Sequence, residues 1–219
     1  MALAIFDLDN TLLAGDSDHA WGDFLISKGL ADAKAHGAEN DRFYQQYTEG
    51  RLDIHAYVRF TLGPVLHLPI TDLNKLHNQF MESFITPMFL PKARQLIQQH
   101  RSDGDFCMIM SATNSFITRP IATALGIDTL LSTNLEIRDG RYTGDIEGIP
   151  CFARGKVERL QLWLEQEQHR FSLQDASFYS DSINDRPLLE AVARPVVVDP
   201  DPRLETVARQ QGWPVISLR

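Results

Sequence analysis

Two carboxylates stand directly after an apolar segment near the start of the chain. The run Leu3–Phe6 is followed at once by Asp7 and Asp9. Ligands of open α/β sheets bind beyond the carboxyl ends of the strands, so carboxylates placed there would meet a ligand. An isolated Asp-x-Asp pair is weak support for catalysis, because aspartate is common in turns. Its meaning therefore depends on other segments of the chain.

A hydroxyl-rich segment, Ser111-Ala112-Thr113-Asn114, follows a second apolar run at 106–110 and leads into a predicted helix. A hydroxyl and the unpaired backbone N–H groups of a helix start together suit a phosphate. Capping of that helix by Ser111 or Thr113 explains the segment equally well when it is judged alone.

Lys156 stands near the start of the predicted helix 157–166. A cation at that end of a helix is disfavoured by up to about 1 kcal/mol, because the helix dipole is positive there. A bound phosphate or a neighbouring carboxylate would offset this cost. Arg154 carries the same charge nearby, so the position alone does not distinguish the two cations.

A second pair of carboxylates, Asp181 and Asp185, follows the apolar run 176–179, and a helix is predicted to begin near Pro187. Helix capping by Asp185 is the structural alternative. With the first pair, these side chains offer the oxygen ligands that Mg²⁺ prefers. Three ionised carboxylates beside a phosphate would repel one another unless Mg²⁺ and Lys156 neutralised part of the charge. The segments thus make chemical sense as one metal-assisted phosphate site.

The elements around these segments predict an α/β fold with a parallel sheet flanked by helices. Apolar runs at Leu3–Phe6, 106–110, 176–179 and 195–198 are short enough for buried strands. Stretches of helical periodicity alternate with them, as is typical of parallel sheets. They span 92–100, 116–125, 157–166 and 204–211.

Two features interrupt this alternation. Residues 17–84 show helical spacing of apolar residues without a strand-like run, which predicts a helical insertion after the first strand. We therefore predict a core of residues 1–15 and 86–219 and a helical cap of residues 16–85. Within the core, Asp139-Gly140 provides the positive φ angles of a two-residue turn, so a small β-hairpin is predicted around it.

Composition narrows the class of protein. The chain has 219 residues, of which 43% are hydrophobic, and a formal net charge of −8. An acidic surface disfavours nucleic acid and anionic membranes as partners. No apolar run reaches the roughly 18 residues of a membrane span, and no signal peptide is evident. We expect a soluble cytoplasmic protein with free thiols at Cys107 and Cys151.

With these four segments in this order, the chain resembles the haloacid dehalogenase superfamily, whose phosphatases carry Asp-x-Asp-x-Thr, a strand-end Ser or Thr, a Lys, and Asp-x-x-x-Asp. The resemblance covers the core from Leu3 to about Val198 and implies a Rossmann-like core with a helical type-one cap. The motif 7–18, the hairpin and the motif 181–185 are similar to the phosphoserine phosphatase-like branch (subfamily IB), which includes histidinol-phosphate phosphatases. Ala112 departs from the Gly of many relatives.

The resemblance also implies roles for the residues. Asp7 would be the nucleophile that forms an aspartyl-phosphate, and Asp9 the general acid and then the base. Mg²⁺ would be held by Asp7, the carbonyl of Asp9 and Asp181, while Asp185 orients Lys156 or a metal-bound water. The residues expected to bind phosphate or substrate are Thr11, Asp16, Ser111, Ala112, Lys156 and Asn184. A dehalogenase is not expected, because its relatives lack a carboxylate at the position of Asp9.

The expected substrate is a small amino-alcohol phosphate, since Asp16 falls where phosphoserine phosphatases carry a glutamate that meets an ammonium group. Capping of the first cap helix is the alternative role of Asp16. Phosphoserine would need an arginine for its carboxylate, whereas the imidazole of histidinol phosphate suits acidic or aromatic neighbours. The arginine candidates are Arg42, Arg51 and Arg59. The candidates for the imidazole are Asp18, Asp23, Trp21, Phe43, Tyr44 and Tyr47.

Histidinol phosphate is the preferred substrate on this basis, and phosphoserine is the alternative. Two other classes stay open, a phosphotransferase or phosphomutase that uses the same aspartyl-phosphate, and a non-catalytic phosphate sensor. The oligomeric state is not readable from the sequence.

Overall fold

The computed structural model describes residues 2–168 and 170–219. Its centre is a six-stranded parallel sheet with the strand order β3-β2-β1-β6-β7-β8. A separate antiparallel pair is formed by β4 and β5. The strands are β1 (Leu3–Phe6), β2 (Phe106–Asn114), β3 (Thr129–Thr133), β4 (Leu135–Arg138), β5 (Arg141–Ile146), β6 (Ala176–Ser180), β7 (Arg194–Val198) and β8 (Val215–Ile216).

Helices cover both faces of the sheet and fill the long connection between β1 and β2. Short 3₁₀ and π turns join several of them. The α-helices of the described residues are α1 (Ser17–Ser27), α2 (Ala33–Thr48), α3 (Ile54–Leu62), α4 (Ile70–Phe80), α5 (Pro91–Ser102), α6 (Ser115–Ala124), α7 (Arg154–Gln166), α8 (Arg186–Leu189) and α9 (Pro202–Gln211). None of these helices is long and apolar enough to cross a membrane.

The first strand divides the hydrophobic interior into two layers. Because successive side chains of a strand point to opposite faces, Ala4 and Phe6 pack into one cluster, and Leu3 and Ile5 pack into the other. All four are buried, as a strand at the centre of a parallel sheet must be. The apolar run that begins the sequence is thus explained by burial on both faces.

The strand order places a topological switch point at the end of β1. The chain continues from β1 to β2 and β3 on one side, and the later strands β6 to β8 extend the sheet on the other. The carboxyl ends of β1, β2 and β6 therefore meet at one edge. In sheets of this kind the crevice at such an edge is where ligands bind.

The predicted fold class is confirmed, and all four predicted strands and all four predicted core helices are present. The stretch after β1 is helical, with α1 to α4. Asp139 and Gly140 have φ angles of 48° and 71° and connect β4 to β5 as the hairpin turn. Two edge strands, β3 and β8, were not predicted. Strand β2 also extends to Asn114, four residues further than its apolar run indicated.

Candidate active site

Asp7 and Asp9 lie on the loop that leaves β1. The amide of Asp7 still donates a hydrogen bond to the carbonyl of Tyr179 on β6, at 2.9 Å, so Asp7 is held as an extension of the sheet. Asn10 then turns the chain with a φ of 55°, a conformation that asparagine tolerates better than most residues. The nucleophile predicted from the sequence is therefore placed by the sheet itself.

Lys156 lies between two carboxylates at the start of α7. Its Nζ is 2.8 Å from Oδ1 of Asp7 and 2.6 Å from Oδ2 of Asp185, and only 2% of the residue is exposed. Burial acts to lower the pKa of Lys156, but Asp185 and Asp7 outweigh it and raise that pKa. The lysine is thus a fixed cation, and its two carboxylates offset the unfavourable helix position.

The bend before α7 depends on a small residue. A Cβ atom at Gly155 would lie 2.1 Å from the carbonyl oxygen of Pro150, which no side chain can accept. Ala153 precedes it with a φ of 49°. The close contact between Gly155 and Pro150 allows the helix to begin where the side chain of Lys156 reaches Asp7.

Asp9 is fixed by donors from two different elements. The amide of Ser17 at the start of α1 donates to Oδ1 at 2.7 Å, and the Thr113 hydroxyl at the end of β2 donates to Oδ2 at 2.9 Å. Burial and the nearby Asp16 carboxylate raise the pKa of Asp9 to about 6, against these hydrogen bonds. A group with that pKa can hold and release a proton near neutral pH.

The motif after β6 brings two further carboxylates to the same edge. Asp185 accepts a hydrogen bond from Ser180 at 2.7 Å in addition to Lys156. Asp181 accepts one from the Thr11 hydroxyl at 3.1 Å. Burial, then Asp7 and Asp185, raise the pKa of Asp181 well above its usual value. Burial also raises the pKa of Asp7 to about 7, although Lys156 opposes the shift.

The donor set at this edge suits a hard cation. Asp7, Asp181 and Asp185 are buried carboxylates or nearly so, and Lys156 is the one cation hydrogen-bonded to any of them in the described residues. Burial, and after it the charges of Asp7 and Asp185, disfavour an ionised Asp181 in the absence of a cation. No three His, Cys, Asp or Glu side chains in ranges 2–168 and 170–219 form a metal cage. The metal ligands predicted from the sequence are not three side chains. They are the carboxylates of Asp7 and Asp181 and the backbone carbonyl of Asp9.

The predicted phosphate-binding residues divide into two groups. Ser111 and Ala112 lie at the end of β2 and line the same cavity as Asp7 and Asp9, and the Ser111 hydroxyl donates to Oδ2 of Asp9 at 3.4 Å. The side chains of Thr11 and Asn184 form hydrogen bonds within the protein. The Thr11 hydroxyl donates to Asp181, and the Asn184 amide donates to the carbonyl of Tyr47 at 2.9 Å. A phosphate contact by Ser111, Ala112, Lys156, Thr11 or Asn184 stays a prediction.

Helix α6 is not capped by Ser111 or Thr113, although helix capping was the alternative role considered for them. Asn114 is its N-cap and accepts from the amide of Ile117 at 3.2 Å. The hydroxyl of Thr113 is thereby free to bond Asp9. Thr113 was not predicted as a site residue, and its only signal in the sequence was its place beside Ser111 at a strand end.

A small cavity, with about 20 Å³ of space that a water molecule can occupy, lies beside Asp7 and Asp9, under the helices that follow β1. Its wall is acidic, aromatic and apolar, with hydroxyls at one end. The lining residues are Asp7, Asp9, Asp16, Asp18, Phe43, Tyr44, Tyr47, Leu52, Ile54, Tyr57, Ser111, Ala112 and Thr113. Among the aromatic candidates, Trp21 lies elsewhere, in the hydrophobic core. Tyr57 was not among the predicted site residues.

Asp16 caps helix α1, which was the structural role considered for it as the alternative to substrate binding. Its Oδ1 accepts from the amides of Asp18 and His19, at 2.9 and 2.8 Å, as the N-cap of α1. It also lines the cavity. The carboxylate thus fixes the start of α1, the same helix start that bonds Asp9.

The three arginines considered for a substrate carboxylate lie outside the cavity lining. Arg42 pairs with Glu39, Arg51 pairs with Glu49, and Arg59 lies 2.8 Å from Asp145 on β5. All three side chains are more than half exposed. Asp23 is likewise on the surface, beside His19.

Comparison with known proteins identifies the family of the chain. Residues 4–190 match the haloacid dehalogenase-like hydrolase family. A histidinol-phosphatase of Neisseria meningitidis serogroup C is 45% identical over 219 residues, which cover 99% of each chain.

Solved structures show the same fold. A protein of unknown function from Bordetella pertussis is 43% identical, with a TM-score of 0.91 over 100% of this chain and 99% of its own. A substrate-bound phosphoserine phosphatase is 20% identical, with a TM-score of 0.70 over 94% of this chain and 89% of its own. The chain therefore belongs to the haloacid dehalogenase-like hydrolases and is a phosphatase.

Proposed function

We propose that the protein is a Mg²⁺-dependent phosphomonoesterase that forms an aspartyl-phosphate on Asp7 and that its substrate is histidinol phosphate. The observation that supports the mechanism most strongly is the placement of Asp7. This carboxylate is buried, held by the sheet and paired with Lys156, and it faces a cavity that also contains Asp9. A nucleophile next to a proton donor is what a two-step transfer requires.

In the first step, a carboxylate oxygen of Asp7 attacks phosphorus and the bond from phosphorus to the substrate oxygen breaks. Asp9 gives its proton to the departing alcohol oxygen, for which a pKa of about 6 is well suited. In the second step, Asp9 takes a proton from water, which attacks the acyl-phosphate and regenerates Asp7. The donors from Ser17 and Thr113 hold Asp9 in place for both steps.

The phosphoryl oxygens need positive charge and hydrogen-bond donors. Lys156 provides a fixed cation, and the Ser111 hydroxyl lies at the adjacent strand end. Mg²⁺, held by Asp7, the carbonyl of Asp9 and Asp181, would supply further positive charge for the phosphate. Asp185 positions the lysine by its 2.6 Å contact.

The choice of histidinol phosphate rests on the cavity and on the relative. The lining residues include carboxylates and tyrosines but no Arg, Lys or His among the part of the chain that the structure describes. Such a wall suits an ammonium group and an imidazole, whereas the carboxylate of phosphoserine would lack a cation. The similar Neisseria protein is named a histidinol-phosphatase.

Phosphate release from a panel of esters tests this proposal. The panel holds histidinol phosphate, phosphoserine, phosphoethanolamine and a sugar phosphate, each with Mg²⁺ and with EDTA. We expect Mg²⁺-dependent turnover with the highest kcat/KM for histidinol phosphate. Preference for phosphoserine would overturn the substrate, and transfer to an added alcohol without phosphate release would indicate a phosphotransferase. Binding without turnover of any ester would indicate a sensor.

A further inference from the structure

Asp18 is a buried carboxylate that none of the contacts described so far explains. It lies in the first turn of α1, lines the cavity and is only 3% exposed. Its Oδ1 has no hydrogen-bond partner, and it is the one carboxylate oxygen among the buried side-chain atoms of the described residues in that position. A buried polar atom without a partner costs on the order of a few kcal/mol, so it calls for an explanation.

The neighbouring carboxylates do not share this condition. Asp9 accepts from Ser17 and Thr113, and Asp16 accepts from two backbone amides of α1. The donors to Asp9 hold the loop after β1 in place, and the donors to Asp16 belong to the helix that it caps. Among the described residues, Asp18 is the carboxylate of the cavity wall that has a fully buried oxygen without a hydrogen-bond partner.

The surroundings of Asp18 favour a cationic ligand. Burial raises the pKa of Asp18 well above its usual value, and the nearby charges of Asp16 and Asp9 add to the shift. Tyr57 lines the same cavity as Asp18. Burial and then the Asp18 charge raise the pKa of Tyr57 well above its usual value. An aromatic ring beside a carboxylate is a favourable environment for an N–H cation.

We infer that Asp18 is the specificity-determining residue that binds the nitrogen cation of the substrate through its free Oδ1, with Tyr57 beside it. This inference rests on the proposed phosphatase function and assigns the recognition of the cation to Asp18 rather than to Asp16, whose Oδ1 caps α1. The ligand chemistry is an N–H cation carried by a phosphomonoester. In histidinol phosphate it comes from the ammonium group or from the protonated imidazole.

Four esters separate these sources: histidinol phosphate, 3-(imidazol-4-yl)propyl phosphate, phosphoethanolamine and propyl phosphate. The second lacks the ammonium, the third lacks the imidazole, and the fourth lacks both. The measured quantity is selectivity, the ratio of kcat/KM for each nitrogen-bearing ester to that for propyl phosphate. In the parent, we expect histidinol phosphate to exceed propyl phosphate by at least tenfold, the order expected of one charge-assisted hydrogen bond.

The variant Asp18→Asn keeps the shape of the side chain and removes its charge. We expect it to lower the selectivity by about tenfold or more, chiefly through KM. A loss confined to esters with an ammonium group, or to esters with an imidazole, identifies which cation Asp18 binds. Asp23→Asn is the matched control, since Asp23 lies on the same helix at the surface, and we expect it to keep the parental selectivity.

An unchanged selectivity in Asp18→Asn, or an equal loss for all four esters, would show that Asp18 has a structural role only and would overturn the inference. Should the variant fail to fold, a parent that hydrolyses all four esters equally would overturn it as well. Failure of the proposed function is distinguishable from both results, because the parent would then release phosphate from none of the esters.

Discussion

At the scale of residues, one buried lysine connects the carboxylates that follow two different strands. Lys156 connects Asp7 after β1 to Asp185 after β6, across distances of 2.8 and 2.6 Å. Removal of one partner of a buried ion pair leaves the other charges uncompensated, which costs far more than the pair itself contributes. Lys156 therefore has a structural as well as a chemical role.

We expect Lys156→Met to lower the free energy of unfolding by about 3 kcal/mol, because Asp7 and Asp185 lose their cation. Its kcat/KM should fall at least ~100-fold, since a fixed charge at the phosphoryl group is lost. Denaturant unfolding and phosphate release measure the two effects. Arg154→Met, an exposed position at the start of the same helix, is the control and should change neither. Parental kinetics in Lys156→Met would contradict the assignment of the lysine.

Most of these residues could be predicted from the sequence because each follows an apolar run whose length and flanking turn residues favour a buried strand. Parallel strands bring their carboxyl ends to one edge, so Asp7, Asp9, Ser111, Asp181 and Asp185 had to come close together. Thr113 was missed, since a strand-end hydroxyl has the same pattern whether it caps a helix or bonds a carboxylate. The free oxygen of Asp18 depends on packing, which residue types alone do not reveal.

At the scale of elements, a buried histidine joins the helices after β1 to those of the sheet. His77 on α4 lies among Trp21, Phe80 and Phe116, and its Nε2 is 3.1 Å from the carbonyl of Ile117 on α6. Burial lowers the pKa of His77 to about 4, from an ordinary value of 6.5. Between these values the unfolded chain binds a proton that the folded chain does not.

Stability due to His77 is therefore complete above pH 6.5 and is lost as the pH falls towards 4. We expect the free energy of unfolding of the parent, relative to that of His77→Gln, to fall by roughly 3 kcal/mol between pH 7 and pH 4. The comparison of variants isolates this histidine from the carboxylates. His55→Gln, an exposed substitution on α3, should follow the parental curve. Parallel curves for the parent and His77→Gln would contradict the account.

Elements whose apolar residues are all buried were predicted well, whereas edge strands were not. Strand β3 has the sequence TLLST and lies at an edge, so polar residues accompany its short apolar core. Strand β8 has two residues at the other edge. Neither gives a periodic signal long enough to separate it from a loop. Their pairing depends on contacts with β2 and β7, distant in the sequence.

At the scale of the whole molecule, three carboxylates from two distant segments of the chain lie at one edge of the sheet, and one lysine pairs with two of them. A divalent cation that relieves their repulsion should stabilise the folded chain. We expect saturating Mg²⁺ to raise the free energy of unfolding by about 1–3 kcal/mol. Thermal and denaturant unfolding, with Mg²⁺ and with EDTA, give this quantity without any assay of activity.

The variant Asp181→Asn should lose most of that Mg²⁺ effect, since a ligand is gone. In EDTA it should be at least as stable as the parent, because one buried charge has been removed while Thr11 can still donate to the remaining oxygen. Asp175→Asn provides a control outside the site. Equal Mg²⁺ stabilisation of the parent and Asp181→Asn would remove Asp181 from the set of metal ligands.

The helical segment after β1 was predicted from the sequence, but the way it packs against the loops of the sheet was not. The end of α2 reaches the loop after β6, where Asn184 bonds the carbonyl of Tyr47, and this contact spans 137 positions of the chain. Long-range contacts of this kind have no periodic signature, although they decide which side chains enclose the cavity. The sequence could therefore indicate phosphate chemistry more closely than the substrate.

The central claim is that Asp7 carries the phosphoryl group during turnover. The most direct measurement is mass spectrometry of the peptide that contains Asp7, after acid quenching of the enzyme during hydrolysis of histidinol phosphate with Mg²⁺. We expect the mass of one phosphoryl group on that peptide in the parent. Asp7→Asn should be folded, bind Mg²⁺ more weakly at most, and show neither the adduct nor turnover. Sustained turnover in Asp7→Asn, or a parental adduct on another residue, would contradict the account.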